Sequence, residues 1–292
     1  MTDPSPGSAD STDSTDSTDS TGSAGSAGSA GSAGSAGSAD SAGSADRTAR
    51  DDRAHTGIER ALVIAAHPDD IDFSCSGTVA VWTDAGVDVT YCLVTDGDAG
   101  GFDPAVPRSE IGGIRQAEQR AAAAAVGVTD VRFLGYSDGR VTVTLELRRD
   151  LARVIREVRP DRVVIPQPVR DLHSMYGSHP DHTATGEAAM CAVYPDARNP
   201  FAYPELADVE AHTVPETWII GAPDGTTPET ARHVDITDVI DRKIAALRAH
   251  ESQTAHMTEL DDMIYKWNGA SGRSAGFPSG RMVESYLALD TR

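Results

Sequence analysis

Lysine is almost absent from this sequence: Lys243 and Lys266 are the only two, and arginine supplies nearly all of the positive charge. Lysine and arginine together number 25 against 45 aspartates and glutamates, which gives a formal net charge of -20 at pH 7. A chain this acidic is repelled by phosphate backbones and by anionic lipid surfaces. The composition therefore argues against nucleic acid or anionic membranes as partners.

Cysteine and long apolar runs are also scarce. The cysteines, Cys75, Cys92 and Cys191, lie far apart and form no CxxC pair. An odd, scattered set of thiols is not a disulfide framework. The sequence contains neither a long apolar segment typical of a membrane-spanning helix nor the apolar core of a signal peptide. These absences favour a cytoplasmic enzyme and leave its oligomeric state open.

The first 56 residues have almost no apolar side chain larger than alanine. Repeats of Ser, Thr and Asp are followed by repeats of Gly, Ser and Ala. Such a segment buries too little apolar surface to offset the entropy that ordering would cost. We therefore expect residues 1–56 to form a disordered acidic tail and residues 57–292 to form a single domain.

The rest of the chain alternates between strand and helix patterns. Apolar runs within Arg60–Ala66, Val87–Val94 and Asp161–Pro166 suit strands that are buried on both faces. Between them, alanine-rich Ile114–Val126 favours a helix, and Thr144 can cap another. The alternation predicts a three-layer, Rossmann-like α/β fold: a mainly parallel sheet with helices on both faces.

Two polar clusters stand where predicted strands end. His67–Asp70 (HPDD) follows the first strand, and His179–His182 (HPDH) follows the strand at Val163–Ile165. Ligands of open α/β sheets bind beyond the carboxyl ends of the strands. A His–carboxylate–His set with a water molecule is the ligand pattern of a catalytic zinc site. Either cluster alone is also typical of a capped turn, but the two together favour a metal site.

The spacing within each cluster allows its residues to have different chemical roles. One carboxylate of Asp69 and Asp70 can bind the metal while the other takes a proton from the attacking water. One of His179 and His182 can likewise bind the metal, and the other can donate to an oxyanion or to the leaving group. The spacing leaves open which residue has which role.

These paired motifs resemble those of the LmbE-like, or PIG-L, family of zinc-dependent de-N-acetylases. Supporting matches are Thr95–Asp98 (TDGD), Arg115–Glu118 (RQAE) and Tyr136–Gly139 (YSDG). The resemblance implies that residues 57–292 form a deacetylase domain. It also implies Zn²⁺ as cofactor, or Fe²⁺ in the cell, and a small N-acyl amino sugar or glycoconjugate as substrate.

Carried over by position, the resemblance assigns the chemistry to particular side chains. It implies that His67, Asp70 and His182 hold the metal. Asp69 resembles the general base of the family. His179 resembles the histidine that stabilises the tetrahedral oxyanion or protonates the leaving amine.

The remaining matches imply contacts rather than chemistry. Asp181 is expected to orient a histidine through a hydrogen bond. Substrate contacts are expected from Arg115, Asp138 and Asp98, although Asp98 stands where relatives often carry Glu.

Two alternative functions remain. An amidase acting on thiol conjugates or on amides of secondary metabolites would use the same chemistry in a different pocket. A non-catalytic metal-binding protein would require neither Asp69 nor His179 in addition to the ligands. The presence of both residues favours a metal-dependent hydrolase that removes an acetyl or other small acyl group.

Overall fold

The structure is a computed structural model, and it describes residues 57–171, 175, 178–221 and 225–292. The predicted tail, residues 1–56, lies outside this part of the chain, so its disorder stays a prediction. All of the described residues belong to one compact unit. Within these ranges no helix is both long and apolar enough to cross a membrane. The cytoplasmic location also stays a prediction.

Seven strands form one sheet in the order β3-β2-β1-β4-β5-β7-β6. The strands are Arg60–Ala65 (β1), Asp88–Thr95 (β2), Asp130–Tyr136 (β3), Arg162–Ile165 (β4), Glu216–Ile220 (β5), Ala231–Asp235 (β6) and Val283–Asp290 (β7). Strands β1 to β5 run parallel, whereas β7 runs antiparallel between β5 and β6. The predicted mainly parallel sheet is confirmed, and β7 is an addition that the alternating pattern did not indicate.

Helices cover both faces of this sheet. They are Asp70–Ser74 (α1), Ser76–Asp84 (α2), Arg108–Ala125 (α3), Leu145–Val158 (α4), Pro180–Cys191 (α5), Ile240–Arg248 (α6), Glu251–Thr254 (α7) and Leu260–Ser274 (α8). Alternate residues of β1 enter different cores: Val63 packs with α2, α3, α6 and α8, whereas Leu62 and Ile64 pack with α4 and α5. Burial on both faces explains why β1 is apolar without alternation.

Two helices begin earlier than the sequence pattern predicted, and both differences have a local cause. Helix α3 begins at Arg108, directly after the extended residue Pro107, although Gly112 and Gly113 weaken the helical signal there. The sequence pattern predicts a loop through His182 and then a helix of about Ala184–Val193. Helix α5 instead begins at Pro180, since proline suits the first helical position, where no hydrogen bond from its nitrogen is needed. His182 therefore lies on the first turn of a helix rather than in a loop.

The order of the strands reverses between β1 and β4, because the chain leaves β3 at one edge and returns beside β1. These two strands are parallel neighbours, with Leu62 opposite Val163. Their carboxyl ends therefore open at the same point of the sheet, which is where open α/β sheets bind ligands. The two polar clusters predicted from the sequence meet at this point.

A buried ion pair connects the sheet to the helices on one face. Lys243 of α6 is fully buried, and its Nζ lies 2.8 Å from Oε1 of Glu284 on β7. The same carboxylate accepts hydrogen bonds from the backbone N–H groups of Gly77 and Thr78, at the start of α2. One carboxylate thus compensates a buried ammonium group and the unpaired donors of a helix terminus.

We predict that Lys243→Met destabilises the protein by about 3 kcal/mol, because the Glu284 carboxylate would remain buried without its counter-ion. Urea unfolding followed by circular dichroism measures this loss of free energy of unfolding. Lys266→Met is the matched control, since Lys266 is exposed on α8. Equal unfolding midpoints for the two variants would contradict the prediction.

Candidate active site

Three side chains from the two clusters point their ligand atoms at one position. Nδ1 of His67 lies 3.3 Å from Nε2 of His182 and 3.3 Å from Oδ2 of Asp70. Nε2 of His182 lies 3.0 Å from Oδ1 of Asp70. Zinc bonds of about 2.0–2.1 Å at tetrahedral angles place neighbouring ligand atoms roughly 3.3 Å apart. The spacing of this triangle therefore fits a divalent metal ion.

The other ring nitrogen of His67 faces a second pair of carboxylates. Its Nε2 lies 3.2 Å from Oδ1 of Asp138 and 3.2 Å from Oδ2 of Asp181. Asp181 already accepts backbone N–H bonds from Gly139 and Val141. His67 and these two aspartates could themselves ligate an ion. The backbone bonds instead favour a supporting role, in which the carboxylates accept the Nε2–H and leave Nδ1 free for the metal.

The carboxylates around His67 favour a positive charge at this position. Burial lowers the pKa of its imidazole, but the nearby carboxylates, Asp70 foremost, outweigh burial and raise that pKa to about 12. Burial raises the pKa of Asp70, yet His67 and His182 hold it well below its usual range. A site that stabilises a proton this strongly also stabilises a metal ion, and the two compete for the same nitrogen. The donor set and its field thus both fit a bound divalent metal.

Asp69 is held apart from the metal ligands by its backbone and by Arg115. Its φ of 92° places it in the left-handed region, which aspartate tolerates better than most residues. Oδ2 of Asp69 lies 3.0 Å from Nη2 of the buried Arg115, which also donates to the carbonyl of Pro68. Burial raises the pKa of the Asp69 carboxyl, Arg115 opposes that effect, and the balance is a pKa of about 6. This value suits a general base that works near neutral pH.

A buried network that the sequence analysis missed supports Asp69 from behind. The Asp69 N–H donates to Oε1 of Gln119 at 2.9 Å, and Nε2 of Gln119 donates to Oδ2 of Asp72 at 2.8 Å. Nε2 of His250 donates to the same oxygen at 2.8 Å. Gln119, Asp72 and His250 are all fully buried. One signal was available: Gln119 lies four residues after Arg115, on the same face of α3.

His179 lies beside the triangle with its tautomer fixed. Its ring centroid is 5.0 Å from that of His67 and 5.3 Å from that of His182. The backbone N–H of Asp181 donates to Nδ1 of His179, at 3.2 Å, so a neutral ring carries its proton on Nε2. Burial lowers the pKa of this imidazole, and the charges of His67 and His182 lower it further. His179 is therefore a neutral hydrogen-bond donor at neutral pH.

The three residues expected to contact the substrate differ in how far they are exposed to solvent. Arg115 is 4% exposed, and it donates to the carbonyl of Gly97 and to Oδ2 of Asp69. Asp138 contacts His67, and its backbone N–H donates to Oδ1 of Asp98 at 2.9 Å. Asp98 lies furthest out and lines a cavity beside the site. Contact with the substrate stays a prediction for all three, and Asp98 has the most open position for it.

Comparison with known proteins gives a consistent result. Residues 62–193 match the family described as GlcNAc-PI de-N-acetylase (PIG-L). The chain is 33% identical over 197 residues to a diacetylchitobiose deacetylase from Thermococcus kodakarensis, covering 67% of this chain and 70% of the relative. It is 32% identical over 244 residues to the 1D-myo-inositol 2-acetamido-2-deoxy-alpha-D-glucopyranoside deacetylase of Rhodococcus erythropolis, covering 67% of this chain and 81% of that protein.

Solved structures agree with the sequence relatives. The N,N'-diacetylchitobiose deacetylase from Pyrococcus horikoshii superposes with a TM-score of 0.70 at 26% identity, covering 87% of this chain and 95% of the other. A 4-carboxy-2-hydroxymuconate hydratase from a Pseudomonas species has the same fold, with a TM-score of 0.64 at 21% identity, covering 80% of this chain and 97% of that chain. The fold alone therefore does not determine the reaction.

We predict that Asp70→Asn and His182→Ala abolish metal binding, because the first removes the negative charge of one proposed ligand and the second removes the ligand nitrogen of another. Asp138→Asn is the matched control and should retain the metal, since Asp181 still accepts from Nε2 of His67. Metal content per chain, measured by mass spectrometry after loading with zinc, tests this. Loss of metal in Asp138→Asn with retention in Asp70→Asn would assign the ion to the other side of His67.

Proposed function

The chain belongs to the GlcNAc-PI de-N-acetylase (PIG-L) family, and from that premise we propose that it removes the acetyl group from an N-acetylglucosamine-type substrate. The observation that supports this most strongly is the placement of three functions around one point. The triangle of His67, Asp70 and His182 fits a metal, Asp69 provides a carboxylate, and His179 provides an N–H donor. Metal-assisted hydrolysis of an amide by water uses these three functions.

We propose His67, Asp70 and His182 as the ligands of a divalent metal, zinc or iron. When bound, such an ion supplies Lewis acidity, polarising a carbonyl and lowering the pKa of water to roughly 7. Two neighbouring carboxylates orient His67 for this role. Asp138 and Asp181 accept from Nε2 of His67, which keeps the lone pair of Nδ1 directed at the other two ligands.

Asp69 is the proposed general base. Its neighbour Asp70 is committed to His182 and to the backbone N–H of His67, whereas the Asp69 carboxylate is paired with Arg115. Its pKa of about 6 keeps it ionised at neutral pH and still basic enough to take a proton from the attacking water. After attack, the protonated Asp69 can deliver that proton to the departing amine.

His179 is the proposed oxyanion donor. Attack on the amide carbonyl places negative charge on oxygen, and a fixed N–H donor close to that oxygen stabilises the transition state more than the ground state. The accepted bond at Nδ1 leaves Nε2–H as the free donor of a neutral ring. A neutral imidazole with a lowered pKa donates a hydrogen bond but is a poor source of a full proton. We therefore propose that Asp69, rather than His179, delivers the proton.

We predict that Asp69→Asn lowers kcat for an N-acetylglucosamine glycoside by about 10²–10⁴-fold, since asparagine keeps the shape but cannot accept the proton. Amine release measured with a fluorogenic reagent follows turnover, and metal content is measured on the same samples. Full metal occupancy with near-normal turnover in Asp69→Asn would show that another group acts as the base.

We also predict a change in the pH dependence of kcat/KM when Arg115 is replaced. Arg115 lowers the pKa of Asp69, so Arg115→Met should raise that pKa. Because the base must be ionised, activity on the acid side would then be lost at a higher pH than in the unmodified protein. Arg115→Lys retains the positive charge and serves as the control. An acid limb that does not move in Arg115→Met would exclude Asp69 as the titrating group.

A further inference from the structure

A cavity of about 610 Å³ lies beside the proposed catalytic residues, and none of them lines it. Its walls come from the loop after β2, from the first turns of α3 and from Ser252 and Gln253 in α7. The volume falls within the range of small-molecule sites, roughly 300–1,000 Å³. The cavity can therefore take a chemical group as large as a ring without overlapping the reaction centre.

Hydrogen bonds fix this cavity to the catalytic residues. Asp98, in its wall, accepts the backbone N–H of Asp138 at 2.9 Å, and the N–H of Ala99 donates back to Oδ2 of Asp138 at 3.2 Å. Oδ1 of Asp138 contacts Nε2 of His67. The cavity wall is thus two contacts away from a proposed metal ligand. The cavity wall and this proposed metal ligand therefore belong to one connected set of polar contacts.

The cavity wall carries large apolar side chains that are not buried in the core of the fold. Phe102 is 66% exposed and Ile114 is 39% exposed, and both line the cavity together with Val106 and Ile111. The ring of Phe102 packs against His256 at 4.1 Å between centroids, which gives this exposed side chain a support. Large apolar side chains that share a concave, accessible surface are typical of a site for an apolar ligand group.

The charges of the cavity disfavour an anionic ligand. Nη2 of Arg108 lies 3.0 Å from Oδ2 of Asp98, so the cation in this wall is paired. The remaining charged side chain of the lining is Asp103, which is negative. A carboxylate on the ligand would have to share Arg108 with Asp98 and lie near a second carboxylate, Asp103. An uncharged group avoids both of these unfavourable interactions.

We infer that this cavity binds the substituent attached to the amino sugar, and that it selects an uncharged substituent with an apolar face, such as a phenyl ring. The inference rests on the proposed deacetylation, because it places the acetamido group at the metal position. It adds a class of substrate: glycosides of N-acetylglucosamine whose attached group is apolar and not acidic. Phe102 and Ile114 are the proposed contacts, and the Asp98–Arg108 pair is the proposed selector against acids.

The test uses the metal-loaded full chain and three substrates that differ only in the attached group: the methyl, phenyl and 4-carboxyphenyl glycosides of N-acetylglucosamine, each as both anomers. We expect kcat/KM for the phenyl glycoside to exceed that for the methyl glycoside by roughly tenfold in the preferred anomer. The added carboxylate should remove most of this advantage.

Two sets of variants separate the contacts from the charges. In Phe102→Ala the phenyl-to-methyl ratio of kcat/KM should fall about fivefold or more, whereas Trp267→Ala, a change at an exposed aromatic residue outside the cavity lining, should leave the ratio unchanged. In Asp98→Asn, Arg108 loses its paired carboxylate, so the carboxyphenyl-to-phenyl ratio should rise.

The outcomes distinguish failure of the inference from failure of the proposed function. Turnover of all glycosides with equal ratios in Phe102→Ala and the unmodified chain would overturn the inference and leave deacetylation intact. Absence of turnover for every glycoside would overturn the proposed function. Calorimetric binding of phenyl and methyl glucosaminides would then test the cavity alone. Equal affinities of these two ligands would overturn the inference too, and a preference for phenyl that Phe102→Ala removes would support it.

Discussion

Several carboxylates converge at the carboxyl ends of β1 and β4, and much of the local structure serves to compensate their charge. Those at the centre are Asp69, Asp70, Asp72, Asp138 and Asp181. Arg115 pairs with Asp69, and His250 pairs with Asp72. Backbone N–H groups donate to Asp138 and to Asp181. Asp70 is the remaining acid of this group, and its oxygens face the imidazole nitrogens of His67 and His182. These three side chains are the ones proposed to hold a metal ion.

The same constraint separates two adjacent aspartates into different roles. Asp70 faces two histidines, and its pKa lies well below the usual range, so it remains an anion under ordinary conditions. Asp69 is buried beside a single arginine, and its pKa is about 6. Groups of identical chemistry whose environments move their pKa values apart are typical of acid–base catalysis. Sequence spacing left this division open, because it depends on which side chains from distant elements surround each carboxylate.

The parts of the site that could be predicted from sequence are those that local chemistry determines. His67–Asp70 and His179–His182 follow apolar strands directly, and the topology of a parallel sheet brings such segments together. Gln119 and His250 were not predicted to act together, since they are 131 positions apart and meet only through Asp72. Strand β7 was missed because Glu284 and Ser285 interrupt the continuous apolar run that is typical of the parallel strands.

Placement of β7 between β5 and β6 has a consequence for synthesis. In the sheet order β6 is an edge strand whose neighbour is β7, although β6 precedes β7 in the chain by about 50 residues. While a ribosome makes this protein, β6 leaves the exit tunnel well before the strand it pairs with. Lys243 likewise emerges ahead of Glu284, so its ammonium group cannot enter the core until the later segment arrives. Closure of this half of the sheet therefore has to follow the synthesis of β7, and the edge of β5 stays unpaired until then.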